Sequence, residues 1–268
     1  MAAIGRLASR NCLIIGGTGG IGLASARCFL QEGARVVVTG RTPGSTREGW
    51  EELAGFGPVL ALTAEVADES DIASAFSEAV SWLGGRLDVL FHVAGISGRR
   101  HGDGPLHECS TEGWQTVLDS NARGAFLTNR AAARQMLTQE IDASGLRGTI
   151  LNTGSVLGYS PSPEFFGTFA YAASKGALRS MTRAAAARYA PDRIRFNLLS
   201  PGLIDTPMAT RAVADPAISA FLARKQPIAG GPGTVDDCAT AALFLCEPAS
   251  RFITGVELTV DGGWCVSE

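Results

Sequence analysis

Tyr171 and Lys175 stand four residues apart in Tyr171-Ala-Ala-Ser-Lys175, a spacing that on a helix brings a phenol and an ammonium to one face. A free phenol titrates near 10, too high for a base at neutral pH, and an adjacent positive charge favours its ionised form. Lowering it by about three units takes roughly 4 kcal/mol of differential stabilisation, to be shared between Lys175 and a second positive charge. Tyr171 is then a proton donor and acceptor. With three tyrosines and two lysines in the chain, chance produces such a pair with a probability of only about 0.02. Every other basic side chain except Lys225 is arginine, which points to a need for a compact ammonium at 175 rather than a planar fork. A surface i,i+4 pair is the bland alternative.

Upstream, Thr149-Ile-Leu-Asn-Thr-Gly-Ser155 reads as a strand ending in a hydroxyl. Ser155 there could hydrogen-bond a substrate oxygen as charge develops on it, although a serine after a strand is commonly a turn residue.

Gly16-Gly17-Thr18-Gly19-Gly20-Ile21-Gly22 follows an apolar strand and opens a helix. Such a turn lets the backbone approach a pyrophosphate at a helix N-terminus, where free N–H groups and the dipole favour an anion. The fingerprint implies a dinucleotide, and an oxidised nicotinamide is the second positive charge that Tyr171 requires. About 20 residues on, an NAD enzyme places an acid at the end of the second strand. This chain has Gly40-Arg41-Thr42. No carboxylate repels a 2′-phosphate there, and Arg41 offers a fork of donors that suits one. The expected cofactor is NADP(H), with NAD(H) as the alternative if Arg41 is only a solvated strand-end residue.

Positioning these groups requires alternating strands and helices. Candidate strands are Cys12 to Ile15, Arg35 to Thr39, Val59 to Ala64, Val89 to Val93, Thr149 to Thr153, Arg195 to Leu199 and Glu257 to Val260. Helical patterns cover Ile21 to Glu32, Ser70 to Leu83, Thr111 to Gln139, Tyr171 to Tyr189 and Val235 to Leu245. The alternation predicts an α/β, doubly wound Rossmann fold, with a seven-stranded parallel sheet and helices on both faces, as one domain over 1–268. Ile96 to Cys109 and Pro201 to Thr234 read as irregular and should border the site, since ligands sit beyond the carboxyl ends of such strands.

Composition narrows the class. Hydrophobic residues make up 46% and charged residues 18%, with 33 glycines, which suits a folded protein with many tight turns. A net charge of -3 provides no basic field for nucleic acid. The six cysteines are scattered without metal-ligand spacing, so no metal is expected and reduced thiols in a cytoplasmic protein are. Met1 to Arg10 lacks a signal-peptide run and reads as a disordered leader, with a faint organelle-targeting flavour from Arg6 and Arg10. No stretch has the length of an apolar membrane span.

Together these stretches resemble the short-chain dehydrogenase/reductase family over nearly the whole chain. The resemblance rests on Gly16, Gly20 and Gly22, Ala94-Gly95 after the fourth strand, Asn121, Ser155, Tyr171 with Lys175, Pro201-Gly202 with Thr206, and Asp261-Gly262-Gly263. It implies hydride transfer at the nicotinamide with Asn121, Ser155, Tyr171 and Lys175 catalytic. Asn121 would help hold a water leading to the lysine. It also implies a cofactor site drawn from Gly16, Thr18, Gly19, Gly20, Ile21, Gly22, Arg41, Glu65, Val66, Ala94, Gly95, Tyr171, Lys175, Pro201, Gly202, Ile204 and Thr206. A homotetramer or dimer, built on the helices from Thr111 and Tyr171, is implied as well. Ile15, His92-Val93 and Glu65 depart from the family's usual residues.

The resulting expectation is an NADP(H)-dependent enzyme interconverting a ketone and a secondary alcohol on a small molecule. An NAD-dependent alcohol dehydrogenase of the same fold and a non-catalytic cofactor sensor are the rivals. Tyr159, Pro161, Pro163, Phe165, Phe166 and Phe169 precede Tyr171. If they wall the site they favour an apolar, cyclic or aromatic substrate; the same residues would equally pack a loop onto the core. Arg99, Arg100 and His101 could grip a substrate anion or form a solvated cluster.

Overall fold

Val36, Val37 and Val38 are buried in succession, as a strand covered on both faces requires, and β-branched residues fit that pleated setting. The computed structural model describes residues 5–267. Its parallel strands are β1 (Asn11–Ile15), β2 (Arg35–Gly40), β3 (Val59–Thr63), β4 (Val89–His92), β5 (Gly148–Thr153), β6 (Ile194–Pro201) and β7 (Glu257–Val260). They form one seven-stranded sheet in the order β3-β2-β1-β4-β5-β6-β7. The order reverses between β1 and β4, which opens a crevice at their carboxyl ends. This is the doubly wound Rossmann fold.

The helices are α1 (Gly20–Gln31), α2 (Pro43–Leu53), α3 (Glu69–Trp82), α4 (Thr111–Leu118), α5 (Gly124–Leu137), α6 (Phe169–Tyr189), α7 (Thr210–Val213), α8 (Pro216–Lys225) and α9 (Val235–Cys246). Alternate strand residues face opposite cores. Leu13, Ile15, Leu90 and Ile150 pack with α3 and α5, whereas Cys12, Ile14, Phe91 and Leu151 pack with α1 and α9.

Three segments differ from the pattern in the sequence. Pro43 to Leu53 is a helix that the helical patterns read from the sequence do not include. It is nucleated by a capping box between Thr42 and Ser45 with proline in the first turn. The pattern from Thr111 to Gln139 is one amphipathic run but three pieces, because a π turn (Asp119–Arg123) separates α4 from α5. The stretch from Pro201 to Thr234 carries α7 and α8, the latter capped by Asp215.

Met1 to Ile4 of the supposed leader lie outside the described residues. The rest of it is packed: Leu7 is fully buried and its N–H donates to the Glu32 carbonyl at 3.0 Å. Arg6 and Arg10 pair with Glu247 and Asp142. Among the described residues no helix is long and apolar enough to cross a membrane.

Candidate active site

A cleft of about 660 Å³ runs along the carboxyl ends of the strands. Its floor is the glycine turn between β1 and α1. Gly16 holds φ +81°, and a Cβ there would press on the Ala94 backbone at 2.8 Å, so only glycine lets the two strand ends meet. Gly19 has nothing within 4 Å of where a Cβ would be and opens into the cleft. No side chain caps the start of α1 and no acid lies in its first turn. Its first N–H groups are therefore presented to an anion.

Of the residues assigned to the cofactor, Gly16, Thr18, Gly19, Gly20, Ile21, Arg41, Glu65, Val66, Ala94, Gly95, Tyr171, Lys175, Pro201, Gly202, Ile204 and Thr206 all line this cleft. Gly22 does not. It is buried in α1, where a Cβ would collide with the Gly16 carbonyl oxygen, so it shapes the turn from behind. Thr42 and Ser45 join Arg41 at the β2 end, placing the start of α2 there too. The cradle fits a dinucleotide: a glycine floor under a free helix terminus at one place and a basic group beyond it.

At the other end of the cleft stand Ser155, Tyr171 and Lys175. Tyr171 lies in the first turn of α6, which is held by a carboxylate from far away in sequence. Asp103 accepts from the Ala170 and Tyr171 backbone N–H groups at 3.0 and 2.9 Å. Lys175, one turn on, is buried and its Nζ donates to the Thr153 carbonyl at 2.8 Å. The same Nζ is 5.6 Å from the centre of the Tyr171 ring. The Ser155 hydroxyl accepts from the Leu157 N–H at 3.2 Å, which uses one lone pair and leaves its proton to donate elsewhere.

Asn121 lies behind the cleft. In the widened π turn its Oδ1 accepts from Ile96 N–H at 2.8 Å, and its Nδ2 donates to the Ile96 carbonyl and the Ser174 hydroxyl at 3.0 Å each. Ser174 Oγ donates in turn to the Tyr171 carbonyl at 2.7 Å. Asn121 thus ties the loop after β4 to the helix that carries Tyr171.

Burial sets the charge states here. It pushes Lys175 down from 10.5 to about 8. It also raises the Tyr171 phenol above its ordinary value, with the Ser155 hydroxyl pulling partly back. Burial, and not the Lys175 ammonium, whose Nζ is turned to a backbone carbonyl, sets this direction. Tyr171 is therefore protonated at neutral pH, the state needed to give up a proton.

His92, on β4 beside this network, is fully buried. Its Nδ1 lies 2.9 Å from Thr128 Oγ1. Burial first, and the Lys175 charge second, lower it from 6.5 to about 3. The unfolded chain takes up a proton here below about 6.5 and the folded one does not, so stability falls as pH drops from there towards 3. By pH 5 the loss from this residue is about 2 kcal/mol. Urea unfolding at pH 7 and pH 5 should show that loss in the wild type and a flatter response in His92→Leu; equal pH dependence in both proteins would contradict it.

A family model described as enoyl-(acyl carrier protein) reductase matches residues 16–265. The chain belongs to the short-chain dehydrogenase/reductase family. This short-chain dehydrogenase/reductase is 36% identical over 252 residues to the 3-oxoacyl-[acyl-carrier-protein] reductase of Bos taurus, covering 94% of this chain and 96% of the relative. It is 33% identical over 262 residues to the cis-4-hydroxycyclohexanecarboxylate dehydrogenase of Sinomonas cyclohexanicum, covering 96% and 97%. The solved short-chain type dehydrogenase/reductase from Mycobacterium ulcerans superposes with a TM-score of 0.85 at 28% identity, covering 98% of this chain and 92% of that one. The protein is an oxidoreductase of the CH–OH/C=O class, in a family that uses nicotinamide cofactors.

The substrate end of this short-chain dehydrogenase/reductase divides the aromatic wall in two. Phe166 lines the cleft together with Trp264. Phe165 packs behind, 5.1 Å from Phe221 between ring centres. Tyr159 turns away to Thr259, at 3.2 Å between hydroxyls, under the Arg179 guanidinium. Phe169 is exposed, and neither Pro161 nor Pro163 reaches the cleft. Most of the wall is therefore loop packing. Asp103, Ser174, Trp264 and Arg211 were not singled out from the sequence, because each acts across a long chain separation that no local spacing reveals.

Proposed function

We propose that the enzyme is an NADP(H)-dependent ketone reductase, interconverting a ketone and a secondary alcohol on an apolar, cyclic small molecule within one catalytic domain. The observation that carries this reading is the single cleft with Ser155, Tyr171 and Lys175 at one end and Arg41 at the other. Arg41, the Thr42 hydroxyl and the start of α2 offer a 2′-phosphate a positively charged seat with no acid at the strand end. Cyclic substrates have support from the relative whose name specifies a hydroxycyclohexanecarboxylate, and from Phe166 and Trp264 in the wall.

A bound nicotinamide supplies or accepts the hydride. In reduction, the Ser155 hydroxyl donates to the substrate oxygen and orients the carbonyl, and the Tyr171 phenol passes its proton to that oxygen as negative charge builds there. In oxidation Tyr171 takes the proton back. Lys175 holds a positive charge beneath the phenol, which lowers the cost of the phenolate left behind. The family's catalytic assignment to Asn121 is carried as a positioning role through Ile96 and Ser174. Reduced thiols at all six cysteines, none in a disulfide, support a cytoplasmic setting. Exposed Trp114, Phe126 and Phe169 on α4, α5 and α6 support a homo-oligomer.

Titration with NADPH and NADH, then absorbance at the reduced-nicotinamide band with a panel of ring ketones, tests this. The wild type should prefer NADPH by about tenfold or more, and Arg41→Asp should reverse the preference. Preference of the wild type for NADH would overturn the cofactor assignment and leave the enzyme class. Tight cofactor binding without turnover of any carbonyl or alcohol would overturn the catalytic reading.

A further inference from the structure

Beyond Tyr171 the cleft is walled by apolar groups, among them Val156, Leu157, Met208 and Trp264, and two guanidinium groups break that surface. Arg99 comes from the short turn after β4 and Arg211 from α7. The one acid among the lining residues, Glu65, is at the opposite end beside β3. Among the described residues neither arginine forms an ion pair. Asp103, the carboxylate that acts on Arg99, is already committed to the Ala170 and Tyr171 N–H groups. Arg100 and His101, equally basic neighbours in sequence, do not reach the cleft.

Arg99 is also held in place. Its Nη2 donates to the Phe165 carbonyl at 2.7 Å, so the guanidinium plane is set by the loop that carries Phe166, with other N–H groups left to donate. Burial and the nearby Arg211 both push Arg99 below its ordinary value. Both side chains are exposed at the rim of the cleft, so water screens part of their repulsion, and an anion between them gains from both charges.

We propose that Arg99 and Arg211 form a clamp for a carboxylate on the substrate, so that the preferred substrate is an apolar ring compound bearing both the reacting oxygen and a carboxylate. The inference rests on the ketone-reductase reading and adds a substrate class to it. A planar carboxylate matches the two-pronged donor geometry of a guanidinium, and the ring it carries can rest on the apolar groups of the wall. Ser155 and Tyr171 take the carbonyl at the inner end while the clamp takes the acid at the mouth, which fixes which face of the ring meets the cofactor.

The test compares 4-oxocyclohexane-1-carboxylate with its neutral methyl ester, in the wild type and in Arg99→Gln and Arg211→Gln, with NADPH or NADH, whichever the wild type uses. The acid should be favoured over the ester by about tenfold or more in kcat/KM. Either variant should lower kcat/KM for the acid by about tenfold, through KM, and for the ester by less than about threefold. Added salt should narrow the wild-type preference. Equal use of acid and ester by the wild type would overturn the clamp while leaving the ketone-reductase reading intact. A rise in the cofactor KM with no change in the acid-to-ester ratio would reassign the two arginines to the cofactor. No turnover of either compound or of any other ring ketone would overturn the underlying reading, and the clamp with it.

Discussion

Tyr171→Phe is expected to lower kcat by about a thousandfold while leaving cofactor affinity within about twofold, since removing a general acid or base costs 10²–10⁴ in rate. The substitution keeps the ring and deletes the one atom that can pass a proton to the substrate oxygen. Because burial holds the phenol above its ordinary value and Lys175 near 8, the wild type should keep its reductive rate across neutral pH and begin to lose it as Lys175 gives up its proton near 8, before the phenol ionises. Single-turnover oxidation of bound cofactor, with melting temperatures of both proteins as a control, is the measurement. A variant that folds normally and retains more than about a tenth of the wild-type rate would show that another group moves the proton.

Lys175→Met should separate activity from stability. An ordinary lysine titrates near 10.5 and this one, buried, near 8. Below pH 8 both folded and unfolded chains carry the proton, so the folded protein bears the full cost of a buried ammonium. Between about 8 and 10.5 the unfolded chain binds more protons, and stability rises with pH through that window. The whole span is about 3 kcal/mol. Loss of the hydrogen bond to the Thr153 carbonyl returns about 1 kcal/mol of it. Lys175→Met should therefore be more stable than the wild type by about 1–2 kcal/mol at pH 7, with the gain fading towards pH 10, and slower by about a hundredfold or more. Chemical denaturation at the two pH values measures it, and a variant that is less stable at pH 7 would show the ammonium to be a net stabiliser.

Such a trade explains why a lysine is kept where the core would prefer an apolar side chain. It also explains why the site was legible before its surroundings were. Tyr171 and Lys175 are neighbours through helix periodicity, Gly16 to Gly22 through a turn, and Ser155 through its place at a strand end. Each is a relation within a few residues. The strands fell within a residue or two of their predicted ends for the same reason, their apolar runs being short and bounded by turn residues. Elsewhere the reading failed: the helical patterns did not include α2, although the capping pair Thr42 and Ser45 was present, and the apolar stripe from Thr111 gave no sign of the π turn that points Asn121 at Ile96.

The sequence by itself determined the family, the sheet, the glycine turn and the spacing that brings Tyr171 and Lys175 together, because these follow from periodicity, turn stereochemistry and side-chain chemistry over short spans. Only the tertiary structure decided that Asp103 caps the helix bearing Tyr171, that Arg99 and not Arg100 faces the cleft, and that Arg211 meets it there. These are meetings between segments far apart in the chain, chosen by how the loops pack over the strand ends. The direction of the Tyr171 shift belongs with them, since desolvation depends on what surrounds a group in space.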